Sequence, residues 1–291
     1  MVEKFIQLTI SGFSNGMVYA LVALGFVVIY KASDVINFAQ GELLLFGAYL
    51  TFAFIAQFGL AWPLGILLTL LVAIVIGVLI ERLVLRPLIG EPIISMIMVT
   101  IGLSSVLKGI VNAIWSPVPR EFPEFIPNAD VHIGTAVIGA DRLMAIGIAA
   151  TMLVLFTFFF RYNKEGIAMR AIADDQQAAL SMGISVKRVF AIAWAIAAVT
   201  AAVGGIIIAN IVGVSGDISL LGLRVFPVVI LGGLDSIPGA IIGGAFIGLL
   251  EAYTGGYIGH GLDLVIPFIV LMLVLMVRPY GLFGREIIER V

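Results

Sequence analysis

Residues 62–81 read WPLGILLTLLVAIVIGVLIE. No charge appears until Glu81. The run has about the 20 apolar residues that a helix needs to cross the hydrocarbon core of a bilayer. Further apolar segments fall at 5–30, 35–57, 92–115, 141–161, 189–213, 225–256 and 262–278. Of the 291 residues, 62% are hydrophobic and only 12% are charged, with a mean hydropathy of +1.19. A soluble domain is about a quarter charged, so this chain cannot cover a soluble surface. That excludes a soluble enzyme, a nucleic-acid binder and a disordered scaffold. The net charge of −2 offers nothing to a polyanion, so no nucleic-acid partner is expected. With no cysteine there is no disulfide, thiol catalysis or cysteine metal site. The alternating ten-residue pattern of a membrane β-barrel is absent. The expectation is an all-α polytopic membrane protein, with about eight transmembrane helices plus broken or re-entrant segments. Residues 1–291 form a single transmembrane domain surrounded by membrane lipid.

Basic residues in short loops orient the spans. Residues 161–188 carry Arg161, Lys164, Arg170, Lys187 and Arg188. Residues 81–91 carry Arg82 and Arg86, and the tail after 277 carries Arg278, Arg285 and Arg290. These stretches are expected in the cytoplasm. The loop at 116–140 sets Arg120 against Glu121, Glu124 and Asp130, and contains Pro117, Pro119, Pro123 and Pro127. It is expected outside, as a stiff proline-rich cap. Lys31 places the 31–34 turn inside and the amino terminus outside. That terminus has only Glu3 and Lys4 as charges and no small-x-small cleavage pattern, so it reads as a retained membrane helix. The polar loops are too short to hold a core of their own.

Polar groups inside apolar spans are costly and often functional. Three clusters qualify. Ser11, Ser14 and Asn15 lie around Gly12 and Gly16, a spacing that lets helices approach closely. Asn37, Gln40, Gly41 and Glu42 fall within six positions of each other in an otherwise apolar segment. The third cluster runs from Gly232 to Gly239, includes Asp235, Ser236 and Pro238, and is followed by Gly243, Gly244 and Gly248. Glycine and proline break a helix there, so 225–256 is expected as two short helices or a re-entrant hairpin. Each cluster has two readings, a lining of the substrate route or helix packing. The route reading takes Ser14, Asn15, Asn37, Gln40, Gly41, Glu42, Asp235 and Ser236 as pathway residues. Interrupted segments in corresponding places of two halves point to a transporter built from inverted repeats. No catalytic set competes with this. The chain has no phosphate-binding G-x-x-x-x-G-K-[ST] loop and no H-E-x-x-H pair. His132 and His260 read as solvated loop residues. Ser105 and Lys108 match S-x-x-K only as a short pattern.

The cytoplasmic stretch 161–188 carries its own signal. Asp174 and Asp175 precede Ala178, Ala179 and Leu180, and Gly183 follows. Acids favour a helix amino end, and glycine suits its carboxyl end. A helix of about two turns is expected near 174–182. Gln177-Ala-Ala-x-x-x-Gly183 resembles the E-A-A-x-x-x-G coupling loop of ABC importer permeases, with Gln177 where the general motif has Glu and without the downstream leucine-proline. The wider stretch from Arg170 to Val189 resembles the branched-chain amino-acid permease group. So do Gly16 to Gly25, Val35-Ile-Asn-Phe-Ala-Gln-Gly-Glu-Leu43 with Gly47-Ala-Tyr49, and Gly232-Gly-Leu-Asp-Ser-Ile-Pro-Gly-Ala240. The likeness runs over essentially the whole chain, and its compact length resembles the H-type permease.

The resemblance implies an importer in the inner membrane of a bacterium or archaeon. It would comprise this chain, a second (M-type) permease, two ATP-binding-cassette subunits and an external solute-binding protein. The chain itself would be no enzyme and hold no cofactor, because ATP and Mg stay on the partner ATPase subunits. Asp174, Gln177, Ala178, Ala179 and Gly183 would couple it to them. Leucine, isoleucine and valine are the implied substrates, although related permeases carry other amino acids, amides or urea. An ion-coupled secondary transporter, working alone through the broken helices and Glu42, is the competing class.

Overall fold

The structure is a computed structural model that describes residues 2–116, 118–123, 130–133, 136–259 and 261–284. Met1, Pro117, Glu124, Pro127, His260, Arg285 and Arg290 lie outside the described residues. In chain order the helices are α1 (Val2–Ser33), α2 (Gln40–Phe52), α3 (Trp62–Ile80), α4 (Ile93–Trp115), α5 (Ala140–Tyr162), α6 (Lys164–Asp174), α7 (Gln176–Ser181), α8 (Val186–Val212), α9 (Leu221–Arg224), α10 (Phe226–Gly232), α11 (Ile237–Tyr253) and α12 (Leu262–Val277). Wider π-type turns extend α2, α3 and α11 at their carboxyl ends. Among the described residues six helical stretches are long and apolar enough to cross a bilayer, and α12 is a shorter apolar helix. The chain is thus a polytopic helical membrane protein.

Burial sorts these spans into two classes. The most apolar window of α1 is 89% buried, whereas that of α4 is 17% buried. So α1 is a central post, with α8 and α11 against it, while α3, α4 and α5 turn much of their apolar surface outward. Leucine-rich surfaces gain little from meeting one another in lipid, so close contact depends on small residues. Gly12 and Gly16 of α1 lie against Gly248 and Gly244 of α11. A Cβ on Gly16 would stand 2.5 Å from the Gly244 carbonyl oxygen, and one on Gly244 2.5 Å from that of Gly16. The backbones themselves therefore touch, and the Gly12/Gly16 spacing serves helix packing.

Sequence and structure part company in two places. Residues 214–224, expected as a connection between spans, fold back into the bundle as a tight turn, Gly216–Leu220, followed by α9. Val214, Ile218 and Val225 are all buried. The loop at 116–140 is not merely a proline-rich cap. It contains a hairpin, β1 (Asp130–Ile133) paired antiparallel with β2 (Ala136–Gly139), and Arg120 pairs with Val214 as an isolated bridge. The expected break in 225–256 does occur. α10 ends at Gly232, Gly233 adopts φ +104°, and α11 begins at Ile237. The chain beyond α12 closes over this break: the Leu282 amide donates to the Leu231 carbonyl at 2.8 Å, and the Phe283 amide to that of Gly232 at 3.2 Å.

One end of the bundle gathers Lys31, Arg161, Arg170, Asp235 and Phe283 around a single cavity. The opposite end carries Gln57, Trp115 and Arg120, with the Trp115 indole donating to Gln57 Oε1 at 3.2 Å. The first end carries the bias of basic residues expected of a cytoplasmic side.

Candidate functional site

Three constellations carry the polar chemistry. The first, at the end rich in basic residues, begins at Asn163, whose Oδ1 accepts from the Glu165 amide at 2.9 Å and caps α6. Asp175 Oδ1 accepts from the amides of Gln177 and Ala178 at 2.8 and 2.9 Å and caps α7. A side-chain acceptor at this position satisfies amides that the first turn cannot pair. Asp174, expected at the head of the coupling helix, is instead the last residue of α6. Gly183, at φ +82°, ends α7, and the Ile184 amide reaches back to the Ala179 carbonyl at 3.0 Å. A left-handed residue at this point favours glycine.

Ala178 is exposed, but Ala179 is only 4% exposed and packs with Met169, Ile172, Val186 and Val189. The expectation that both alanines meet a partner is corrected for Ala179, which roots α7 in its own bundle. The apolar side chains that α7 presents outward are Leu180, 52% exposed, and Met182, 83% exposed. Arg188 pairs with Glu165 at 2.5 Å and ties the start of α8 to α6.

The second constellation lies where α2 begins. Asn37 Oδ1 accepts from the Ala39 amide at 3.0 Å, and its Nδ2 donates to Gln40 Oε1 at 3.1 Å. Gln40 Nε2 donates to the Ala197 carbonyl of α8 at 3.2 Å, and the Phe38 amide donates to Thr100 Oγ1 of α4 at 3.3 Å. Asn37 and Gln40 are both 0% exposed. In this conformation the two side chains expected on the route form a closed knot joining α2 to α8, sealed from solvent, and the Phe38 backbone adds the link to α4. Gly41 is buried, and its position admits no side chain because the Ser219 carbonyl and Gly222 Cα stand against it. The break at 219–222, rather than 232–239, is thus the one in backbone contact with Gly41. Glu42 is nearly buried and lies within reach of the Ser104 hydroxyl and of the Lys108 charge.

The remaining expected pathway residues are dispersed. Ser14 is buried and donates to the Arg142 carbonyl at 3.1 Å. Ser236 Oγ accepts from the Gly239 amide at 3.0 Å, capping α11. Asp235 lines the cytoplasmic cavities, and its carbonyl accepts from Lys31 Nζ at 3.2 Å.

Asn15 belongs to the third constellation, in the half toward the end that carries Arg120. It lines a cavity of about 360 Å³ with Tyr19, Ile211, Asp217, Leu221 and Arg224. The Tyr19 hydroxyl donates to Glu251 Oε2 at 2.8 Å, with the Arg224 guanidinium in electrostatic reach of both. Glu251 and Arg224 escaped the sequence reading. Glu251 is a lone acid in a glycine-rich span, and Arg224 sat in what read as a connection. Only the fold-back of 214–224 brings them together.

Residues 8–275 match the family model described as branched-chain amino acid transport system / permease component. The chain is 32% identical to the high-affinity branched-chain amino acid transport system permease protein LivH of Salmonella typhimurium, over 99% of this chain and 98% of that protein. It is 32% identical to the corresponding protein BraD of Pseudomonas aeruginosa, over 100% and 99%. Against the probable branched-chain amino acid transport permease protein LivH of Methanocaldococcus jannaschii the identity is 28%, over 94% and 90%. A multi-pass helical bundle whose full length matches permeases of bacteria and an archaeon belongs in the cytoplasmic membrane, and the chain is a member of the family of branched-chain amino acid transport permease components.

Proposed function

We propose that this chain forms one wall of the translocation route of an ABC importer for branched-chain amino acids. It works beside a second, M-type permease, two ATP-binding-cassette subunits that hold ATP and Mg, and an external solute-binding protein. The observation that carries this reading is the build of α7. It is a short, capped helix at the cytoplasmic end, fixed to the bundle through Ala179 and presenting Leu180 and Met182 to a partner. Its exposed face, with Gln177 and Ala178, fits a groove on an ATPase subunit.

Coupling follows from the way α7 is mounted. Ala179 shares one buried cluster with Val186 and Val189 at the start of α8. α8 is 27 residues long, about 40 Å at the usual helical rise, and its far end supplies Ile211 and Val212 to the outer cavity. A stiff helix held at both ends carries a displacement from the ATPase contact to the cavity wall. ATP binding and hydrolysis then shift the balance between outward-open and inward-open states through their different grip on α7.

The test uses the complex reconstituted in liposomes with its binding protein. Leu180→Asp and Met182→Asp each place a charge on the docking face without entering the core. Losing one such contact is worth about 1–2 kcal/mol, so each should lower uptake of leucine and substrate-stimulated ATP hydrolysis together by about tenfold. Uptake that persists in vesicles lacking the ATPase subunits would overturn the reading in favour of ion-coupled transport.

A further inference from the structure

We propose that the outer cavity between α1, α8 and the 215–224 segment is a binding site for the transported amino acid. Its carboxylate lies on Arg224, its ammonium group faces Asp217, and its aliphatic side chain rests on Ile208, Ile211 and Leu221. The proposal rests on the transport reading given under Proposed function and extends it to a named site.

Several features of the cavity fit this occupant and not a packing defect. The volume of about 360 Å³ falls within the roughly 300–1,000 Å³ of small-molecule sites. Most of its wall is aliphatic, with one cation and one anion among the lining side chains. A zwitterion with a branched apolar side chain presents the complementary pattern. A simple cation, anion or sugar would leave either the charges or the aliphatic wall unmatched.

Arg224 is the decisive residue. A half-buried guanidinium with only a structural role would be expected to pair with a carboxylate. Among the described residues Arg224 makes no ion pair. Glu251 is the obvious candidate, yet its Oε2 accepts from the Tyr19 hydroxyl at 2.8 Å. Tyr19 is buried in α1, so this bond fixes the hydroxyl, and the hydroxyl in turn lies against Arg224. The guanidinium is therefore aimed without being consumed. With one N–H directed at the Tyr19 hydroxyl, the other donors of the planar fork remain to grip a carboxylate with two parallel bonds. Asn15 contributes an exposed amide to the same cavity, able to donate to a carboxylate or accept from an ammonium group.

The site also has an entrance. A second, more polar cavity of about 750 Å³ lies at the outer surface, lined by Arg120, Glu121, Asp141 and Asn210. The two cavities share Ile211 and Val212 as walls. A solute released at the outer face would meet charged groups first and the aliphatic chamber second. The same two wall residues end α8, the helix rooted at its other end beside α7.

Photo-leucine, a diazirine analogue of leucine, tests the site directly. It is supplied through the binding protein to the reconstituted wild-type complex, irradiated, and its cross-links are mapped by mass spectrometry. Cross-links are expected on residues 208–221. Arg224→Gln removes the bidentate contact and should lower leucine uptake by about tenfold or more, the usual worth of a charge-assisted bond. Arg224→Lys keeps the charge but not the fork and should fall between. Ile211→Trp fills the chamber from its partly exposed wall, tolerates any fold sensitivity of position 224, and should abolish the cross-links. Assembly of each complex is followed by size-exclusion chromatography. A wild-type complex that takes up no branched-chain amino acid would overturn the transport reading and the site with it. Wild-type uptake matched within twofold by both Arg224→Gln and Ile211→Trp would overturn the site alone. Cross-links confined to other segments would do the same, as when a zwitterionic phospholipid occupies the chamber.

Discussion

Gln40 shows how far a single residue can be read. Its amide inside an apolar segment demands a partner, because an unpaired polar group in a low-dielectric interior costs about 1–3 kcal/mol. That demand is visible in the sequence, as is the presence of Asn37 three positions earlier. The identity of the partner is not, because the Ala197 carbonyl lies 157 residues away. The choice between route and packing turns on that partner. With both amides paired and sealed, Gln40→Leu leaves the buried Asn37 amide without its acceptor and removes one of the two donors on the Ala197 carbonyl, which keeps the Thr200 hydroxyl. The expected outcome is a loss of about 2–4 kcal/mol, seen as a lower melting temperature of the purified complex and a lower yield. A variant that melts with the wild type but has lost uptake would place Gln40 on the route. Tyr19 and Glu251 make the reverse case. Neither looks unusual in sequence, and their pairing across 232 positions is a product of the glycine contact between α1 and α11.

Short elements are legible where local chemistry defines them. The capping aspartate, the alanines and the closing glycine of α7 all lie within ten residues, so the helix and its limits are readable to within a turn. The face it buries is not, because that depends on where α6 and α8 pass. Ala179 meets its own bundle, so a charge there strikes the core and not a partner. Ala179→Glu would force a carboxylate into the buried apolar cluster that Ala179 shares with Met169, Ile172 and Val189. We expect about 3 kcal/mol or more of destabilisation, and a cytoplasmic loop that proteases cut while the membrane spans stay intact. Limited proteolysis of inverted vesicles measures this. Cleavage no faster than in the wild type would mean that α7 is not rooted through Ala179. The 214–224 segment failed as a sequence reading for a related reason. Its Ser215, Gly216, Asp217 and Arg224 look like a solvated connection, and only the small Gly222 opposite Gly41 lets the backbone enter the bundle.

At the scale of the whole molecule, composition decides membrane residence and the basic residues decide direction. The fold adds that the charged loops assemble into two opposed ends. Lys31, Arg161 and Arg170 surround one cavity, while Arg120, Glu121 and Asp141 surround another at the far end of α8. Direction matters to every functional statement. α7 meets an ATPase only if its end is cytoplasmic, and the Arg224 chamber meets an external binding protein only if its end is outside. One experiment fixes both, because the natural chain contains no cysteine to give a background signal. Ser181, exposed on α7, and Glu121, exposed beside the outer cavity, are each replaced by cysteine and probed with a membrane-impermeant maleimide. In whole cells Glu121→Cys should react and Ser181→Cys should not. After permeabilisation both should react, at least tenfold more at position 181 than before, since a charged reagent crosses the hydrocarbon core only at a cost of several kcal/mol. Uptake measured in the same cells shows whether the labelled protein is the working form. The reverse pattern would turn α7 toward the outside, where there is no ATP to drive it. It would also place the aliphatic chamber on the release side of the route, so that Arg224 would hold the substrate back from the cytoplasm instead of receiving it from the binding protein.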